Sequence, residues 1–124
     1  MIEDLLALQK NQWNTEFLLD YENTVDLEDL PALDKVNTYF IIREAIQNVN
    51  KYSQASICKV SFTKEKKNVV IKIKDNGVGF DEGSSRDGMG LHNMNERAIA
   101  LHSELIIYSK KGMGTELMFK IKIK

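Results

Sequence analysis

Residues 44–52 supply a carboxylate, an amide, an ammonium and a phenol in Glu44, Asn48, Lys51 and Tyr52. On a helix those spacings put all four on one side, beside the apolar stripe rather than opposite it. A hydrated face with a favourable Glu-to-Lys arrangement would account for the charges. It does not account for Asn48 and Asn50, two poor helix formers close together in an otherwise good helix, which call for a compensating role.

A second stretch, KDNGVGFDEG at 74–83, poses a choice between a turn and a ligand site. Asn76-Gly77 is a strong signal for a type I′ hairpin turn, because both residues tolerate positive φ. A hairpin needs an alternating strand directly afterwards. Here Gly79, Gly83, Gly88 and Gly90 follow, with charged residues and serines between them, and such a sequence does not sustain a strand. The glycines stop at Gly90, where Leu91 opens a helical pattern. A glycine-rich segment entering a helix offers free amides, the positive end of the helix dipole and room for a phosphate to approach the backbone. By itself that pattern is unspecific. A third stretch, KKGMGTE at 110–116, reads as a hairpin loop with Gly112 and Gly114 at positive φ, and Thr115 adds a hydroxyl just inside the following strand.

The elements that must position these groups follow from periodicity. MIEDLLALQKNQW reads as a short helix or the end of a longer one, with Trp13 as an anchor in a core or an interface, and TEFLLDYEN reads as a strand. VDLEDLP is a polar connection closing at Pro31, the only proline. From Ala32 to about Ser53, Leu33, Val36, Phe40, Ile42, Ala45, Ile46 and Val49 recur every three or four positions, which predicts an amphipathic helix. SICKVSFT and NVVIKIKD alternate on either side of KEKK, a hairpin with one wet face. LHNMNERAIALH is helical in spacing, and ELIIYSKKGMGTELMFKIKIK is a second hairpin whose Lys120, Lys122 and Lys124 face water. The order implies an antiparallel or mixed sheet covered on one face by helices, a two-layer α/β sandwich.

Composition bounds the rest. A chain of 124 residues, 43% hydrophobic, can bury one core, and residues 1–124 are read as a single domain. With 17 Lys and Arg against 18 Asp and Glu, nothing favours a nucleic acid or an acidic membrane surface as partner. Cys58 is the only cysteine and falls in an apolar alternation, so it reads as a core residue in a reducing compartment. No window suits a bilayer span and the acidic start does not suit a signal peptide, which makes a cytoplasmic location the expectation.

Taken together, IIREAIQNVNKYSQAS, DNGVGF, DGMGLHNMNERA and GMGT resemble, in order, the N box and three glycine boxes of the catalytic ATP-binding domain of bacterial sensor histidine kinases. These belong to the Bergerat, or GHKL, ATPase superfamily. The short glycine-rich segment between Gly79 and Gly88 looks most like the branch whose kinases pair with response regulators bearing a LuxR-type DNA-binding domain. The resemblance implies the Bergerat α/β sandwich with a mixed sheet, and ATP and Mg²⁺ as ligands. It implies that Asp75 accepts a hydrogen bond from the adenine amino group, with Gly77 and Gly79 beside the base and Gly88, Met89, Gly90 and Leu91 near the phosphates. Asn48 would hold Mg²⁺, Lys51 would neutralise phosphate charge, Glu44 would polarise the attacking group or order a water, and Gly112, Gly114 and Thr115 would complete the adenine pocket. Tyr52 stands where this branch usually has histidine.

The phosphate acceptor of such kinases is a histidine on a separate dimerisation domain. His92 and His102, the only histidines, lack the sequence of an acceptor and read as structural or surface residues. The implied partners are therefore ATP, the dimerisation domain of the same kinase and, indirectly, a response regulator, with no nucleic acid and no membrane contact by this domain. Two other readings remain: a stand-alone serine kinase of the anti-sigma-factor type, and a non-catalytic interaction module.

Overall fold

The structure is a computed structural model and describes residues 14–22, 27–80 and 90–123. The reading of the first thirteen residues as a helix, Trp13, Gly83, Gly88, Met89 and Lys124 lie outside the described residues.

Among the described residues five strands form one mixed sheet: β1 (Glu16–Tyr21), β2 (Ile57–Glu65), β3 (Asn68–Asp75), β4 (Ile106–Lys110) and β5 (Gly114–Lys122). Their order across the sheet is β1-β2-β3-β5-β4. β1 runs parallel to β2, and every other neighbouring pair is antiparallel. Among the described residues two α-helices, α1 (Ala32–Asn48) and α2 (Leu91–Ala100), cover one face.

Strand alternation sorts the layers. On the helix side Val60 and Phe62 of β2, Ile71 and Ile73 of β3, and Leu117, Phe119 and Ile121 of β5 are buried. They pack with Ile41, Ile42, Ala45 and Ile46 of α1 and Met94 and Ala98 of α2 in one core cluster. The other face carries the ion pairs Lys59–Asp20 at 3.5 Å and Lys72–Glu116 at 3.9 Å, as expected for strands with one wet side. The second hairpin follows the same rule, with Phe119 and Ile121 inside and Lys122 exposed.

Two details of the long helix differ from its periodicity. Leu33 and Val36 are 68% and 44% exposed, while Asn37 and Thr38 are buried. The first turns of α1 face α2 with a polar side: Asn37 Oδ1 accepts a 3.1 Å hydrogen bond from Arg97, whose guanidinium also lies 4.4 Å from the centre of the Phe40 ring. The second difference is at the other end. The α-helix stops at Asn48, and Val49–Ser53 continues as one wider π turn closed by Gln54 at φ 54°.

Cys58 is completely buried. Burial, with a smaller contribution from the charge of Asp75 opposite it on β3, pushes its thiol up to about 12. A thiolate is the reactive species, so the folded chain at pH 8 should resist maleimide labelling over hours. Labelling should accelerate only across the urea unfolding transition; rapid modification of the native chain would contradict this core placement.

Candidate functional site

A cleft opens between α1 with its π turn and the ends of β3, β4 and β5. Ala45 and Asn48 line it from α1, and Val49, Tyr52 and Ser53 from the π turn. Ile73 and Asp75 line it from β3, Gly79 and Phe80 from the segment beyond, and Leu91 from α2. Ile107, Thr115 and Leu117 complete it from β4 and β5. The cavity proper is small, about 100 Å³, and widens to about 630 Å³ of empty space when its open mouth is included. Most of these walls are apolar, and a few polar groups converge at one end.

Two of the polar lining residues, Asp75 and Thr115, belong to a row across the sheet. Cys58, Asp75, Thr115 and Ser109 are successive cross-strand partners on β2, β3, β5 and β4. Because side chains alternate, all four lie on the helix-facing side. Asp75 is 6% exposed. Burial raises the pKa of its carboxyl above the usual aspartate range, and hydrogen bonds from the Gly77 and Thr115 amides partly oppose that rise. The Gly77 amide donates to Oδ1 at 2.8 Å. Thr115 Oγ1 lies 2.7 Å from Ser109 Oγ, and the same Ser109 oxygen accepts from the Phe80 amide at 2.9 Å.

Asn76-Gly77 is not a hairpin turn. Asn76 Oδ1 accepts from the amides of Ser56 and Ile57, each at 3.0 Å, and its Nδ2 donates to Ser56 Oγ at 2.8 Å. The side chain thus ties the end of β3 to the start of β2. The chain then runs over the π turn, where the Val78 amide donates to the Ser53 carbonyl at 2.7 Å. A Cβ on Gly77 would overlap that same carbonyl, so the close approach requires glycine.

The residues singled out from sequence separate into two groups. Asn48, Tyr52, Asp75, Gly79, Leu91 and Thr115 line the cleft. Gly90 precedes α2 and packs on α1, where a Cβ would sit 2.6 Å from Glu44 Oε2. Gly112 and Gly114 shape the β4–β5 hairpin, at φ 83° and 81°, outside the lining. Lys51 is exposed and also outside the lining, because the wider π turn breaks the α-helical spacing that would have aligned it with Asn48. His92 and His102 are exposed. The sequence reading missed Ser53, Asn76, Phe80 and Ser109. Asn76 had a signal, an asparagine ending a strand, but its partners lie about twenty residues away. Nothing local marks the other three.

The family of histidine kinase-, DNA gyrase B- and HSP90-like ATPases matches residues 33–124. The chain is 32% identical over 111 residues to the signal transduction histidine-protein kinase/phosphatase DegS of Brevibacillus brevis, covering 89% of this chain and 29% of that protein. It is 34% identical over 87 residues to the oxygen sensor histidine kinase NreB of Staphylococcus carnosus, covering 68% and 25%. The DegS of Bacillus subtilis is 30% identical over 118 residues, covering 90% and 31%. The chain thus spans less than a third of the length of these curated relatives. Among solved structures, a blue-light activated histidine kinase of Erythrobacter litoralis superimposes with a TM-score of 0.80 at 14% identity, over 98% of this chain and 40% of that one. The histidine kinase AdeS of Acinetobacter baumannii gives 0.73 at 22% identity, over 99% and 59%. These two share the fold.

Gly112 and Gly114 permit a paired test of what the hairpin needs. Both have positive φ, but a Cβ meets nothing within 4 Å at Gly112 and overlaps the Asp75 carbonyl at Gly114. Gly112→Ala should cost about 1–2 kcal/mol in urea unfolding, the cost of a left-handed alanine. Gly114→Ala should cost at least about 1 kcal/mol more. Equal losses would mean that the hairpin can move away from β3.

Proposed function

The chain belongs to the histidine kinase-, DNA gyrase B- and HSP90-like ATPase family, and from that membership we propose that it is the Mg²⁺-ATP-binding part of a sensor histidine kinase. In the whole protein it presents the γ-phosphate of ATP to a histidine on a dimerisation domain, and that domain then serves a response regulator, one with a LuxR-type DNA-binding domain. The kinase names of the curated relatives support this reading over a serine kinase or a non-catalytic module. Among the described residues no helix is long and apolar enough to cross a membrane. A cytoplasmic position for this domain is part of the proposal.

The observation that carries it is the buried carboxylate of Asp75 at the head of an apolar cleft. A carboxylate there is an acceptor without a water shell, suited to an amino group at the edge of a flat apolar ring. Thr115, its cross-strand partner, supplies a hydroxyl alongside. Ile73, Ile107 and Leu117 offer the ring an apolar seat. The donor set also fits a magnesium ion that takes most of its ligands from the nucleotide and water. Among the described residues no group of three or more His, Cys, Asp or Glu could enclose a metal, while Asn48, whose amide carries a hard oxygen, lines the cleft. When bound, nucleotide and metal supply the phosphoryl group and the neutralisation of its charge.

The roles of the chain's own residues follow. Asp75 and Thr115 orient the base, and Asn48 holds the metal through its carbonyl oxygen. Glu44, beside Gly90 where α2 begins, polarises the attacking group or orders a water, and Lys51, exposed on the π turn, neutralises phosphate charge. Gly88, Met89 and Gly90 accompany the phosphates, and Gly112 and Gly114 hold the hairpin that carries Thr115. Phosphoryl transfer rests on positioning, so the isolated domain binds ATP and turns it over negligibly without its acceptor.

Calorimetric titration tests this with Asp75→Asn as the control. A hydrogen bond to a charged acceptor is worth about 1.5–3 kcal/mol, so the variant should lose at least about tenfold in ATP affinity. Its empty form should be no less stable at pH 7, because a buried charge has been removed. Undiminished ATP affinity in a folded variant would rule out Asp75 as the base acceptor.

The raised pKa of Asp75 gives a second expectation. In the empty fold the native state takes up this proton at higher pH than the unfolded chain does. Acidification through that window therefore favours the native state, and rising pH removes the contribution. Nucleotide binding has the opposite sign, since it uses the ionised acceptor. ATP affinity should fall on acidification from above the ordinary aspartate range, and Asp75→Asn should abolish that part of the slope. An equal slope in the variant would assign it to another group.

A further inference from the structure

We infer that Ser109 is the positioning residue that fixes which way the Thr115 hydroxyl points, and thereby selects the edge of the base that the cleft accepts. The inference rests on the nucleotide-binding reading above and adds a residue to it. Ser109 does not line the cleft. It acts through Thr115.

A serine hydroxyl has one proton to donate and two lone pairs to accept with. Three groups surround Ser109 Oγ: the Phe80 amide at 2.9 Å, Thr115 Oγ1 at 2.7 Å and the Gly114 carbonyl at 3.3 Å. The Phe80 amide can only donate and the Gly114 carbonyl can only accept. One lone pair is therefore committed to Phe80, and one proton and one lone pair remain. Two arrangements use them. In the first, Ser109 donates to Gly114 and accepts the Thr115 proton, so Thr115 shows only lone pairs to the cleft. In the second, Ser109 donates to Thr115 at 2.7 Å, a normal distance for hydroxyl pairs, and the Thr115 proton is released toward the cleft.

The first arrangement makes both available bonds and suits the empty cleft. The second gives up only the long 3.3 Å bond to Gly114, so it is readily reached once a ligand offers an acceptor in its place. It also aligns the Thr115 proton, because the lone pair facing β4 is occupied. The cleft then presents a carboxylate acceptor at Asp75 beside a hydroxyl donor at Thr115. That pair complements a ring edge with an amino group next to an unprotonated ring nitrogen, which is the adenine edge. The guanine edge carries the reverse, a carbonyl next to a ring N–H. A hydroxyl left to rotate would serve either, donating to the first edge or accepting from the second.

The backbone makes this a fixed device. Ser109 is paired with Thr115 across β4 and β5, as Thr115 is with Asp75 across β5 and β3. The oxygen that orients Thr115 also anchors the amide of Phe80, whose side chain forms a wall of the cleft. Base orientation and that wall are thus held by one atom.

The experiment measures the affinity of the purified chain for ATP and for 1-deaza-ATP, which lacks the ring-nitrogen acceptor, in wild type, Ser109→Ala, Ser109→Thr and Thr115→Val. Wild type should prefer ATP by about tenfold, the worth of one oriented hydrogen bond. Ser109→Ala and Thr115→Val should each reduce that preference to about threefold or less, and Ser109→Thr, which keeps the hydroxyl, should retain it. A chain carrying both Ser109→Ala and Thr115→Val, measured in the same way, should be no less selective than Thr115→Val alone. A Ser109→Ala chain that weakens both nucleotides equally, or keeps the full preference, overturns the inference while leaving ATP binding in place. Should Ser109→Ala not fold, a Ser109→Thr chain that loses the preference overturns it equally. A folded wild-type chain that binds neither nucleotide overturns the nucleotide reading and this inference with it.

Discussion

The constraint on which everything else depends is the register between β3 and β5. With Ile71 opposite Phe119 and Ile73 opposite Leu117, the next pair on the same face is Asp75 with Thr115. A slip of one residue would turn the apolar set to water and bring lysines against the helices, a loss far beyond any local gain. The packing of the core thus delivers a carboxylate to a place where no carboxylate would settle alone. Two amide donors, from Gly77 and Thr115, partly offset its desolvation, and the net effect is still a raised pKa. Aspartate there is a local cost that the apolar layers around it sustain.

The helical layer closes the space above this row without filling it. Ala45 and Asn48 are the α1 residues over the cleft, one of them small, whereas Ile41, Ile42 and Ile46 fill the core beside it. α2 is held to α1 by more than apolar contact. Arg97 bonds Asn37 and stacks on Phe40, and Arg43 lies 4.4 Å from the centre of the same ring. The opening of α2, with Leu91 in the cleft and Gly90 against Glu44, therefore has a set distance from the N-box side chains.

Much of this was legible in the sequence because periodicity reports burial. The alternation of NVVIKIKD and ELMFKIKIK locates two strands and their wet faces, and the failure of alternation after Gly77 correctly excluded a hairpin there. Residue type and the order of four motifs single out Asn48, Asp75 and Thr115, which line the cleft, and Glu44, which lies beside Gly90 outside that lining. The π turn was not legible, since the same residues at α-helical pitch would have looked identical and only its fit against Gly77 and Val78 shows the difference. That turn is why Tyr52 reaches the cleft and Lys51 does not. The exposed Leu33 and Val36 misled for a related reason: an apolar stripe shows which side of a helix can be buried, and the neighbouring helix decides which side is. Ser109 and Asn76 act through cross-strand neighbours, which a linear reading does not supply.

The glycines also bear on how such a sequence can drift. A Cβ on Gly79 would overlap the Lys110 carbonyl, and one on Gly114 would overlap that of Asp75. Two segments some thirty residues apart therefore cross backbone to backbone, with no side chain between them to absorb a change. A bulkier residue at either glycine needs a matching movement of the other segment, so the two motifs are expected to vary together. A chimaera that imports one of them from a distant relative should inherit a working cleft only when the other travels with it.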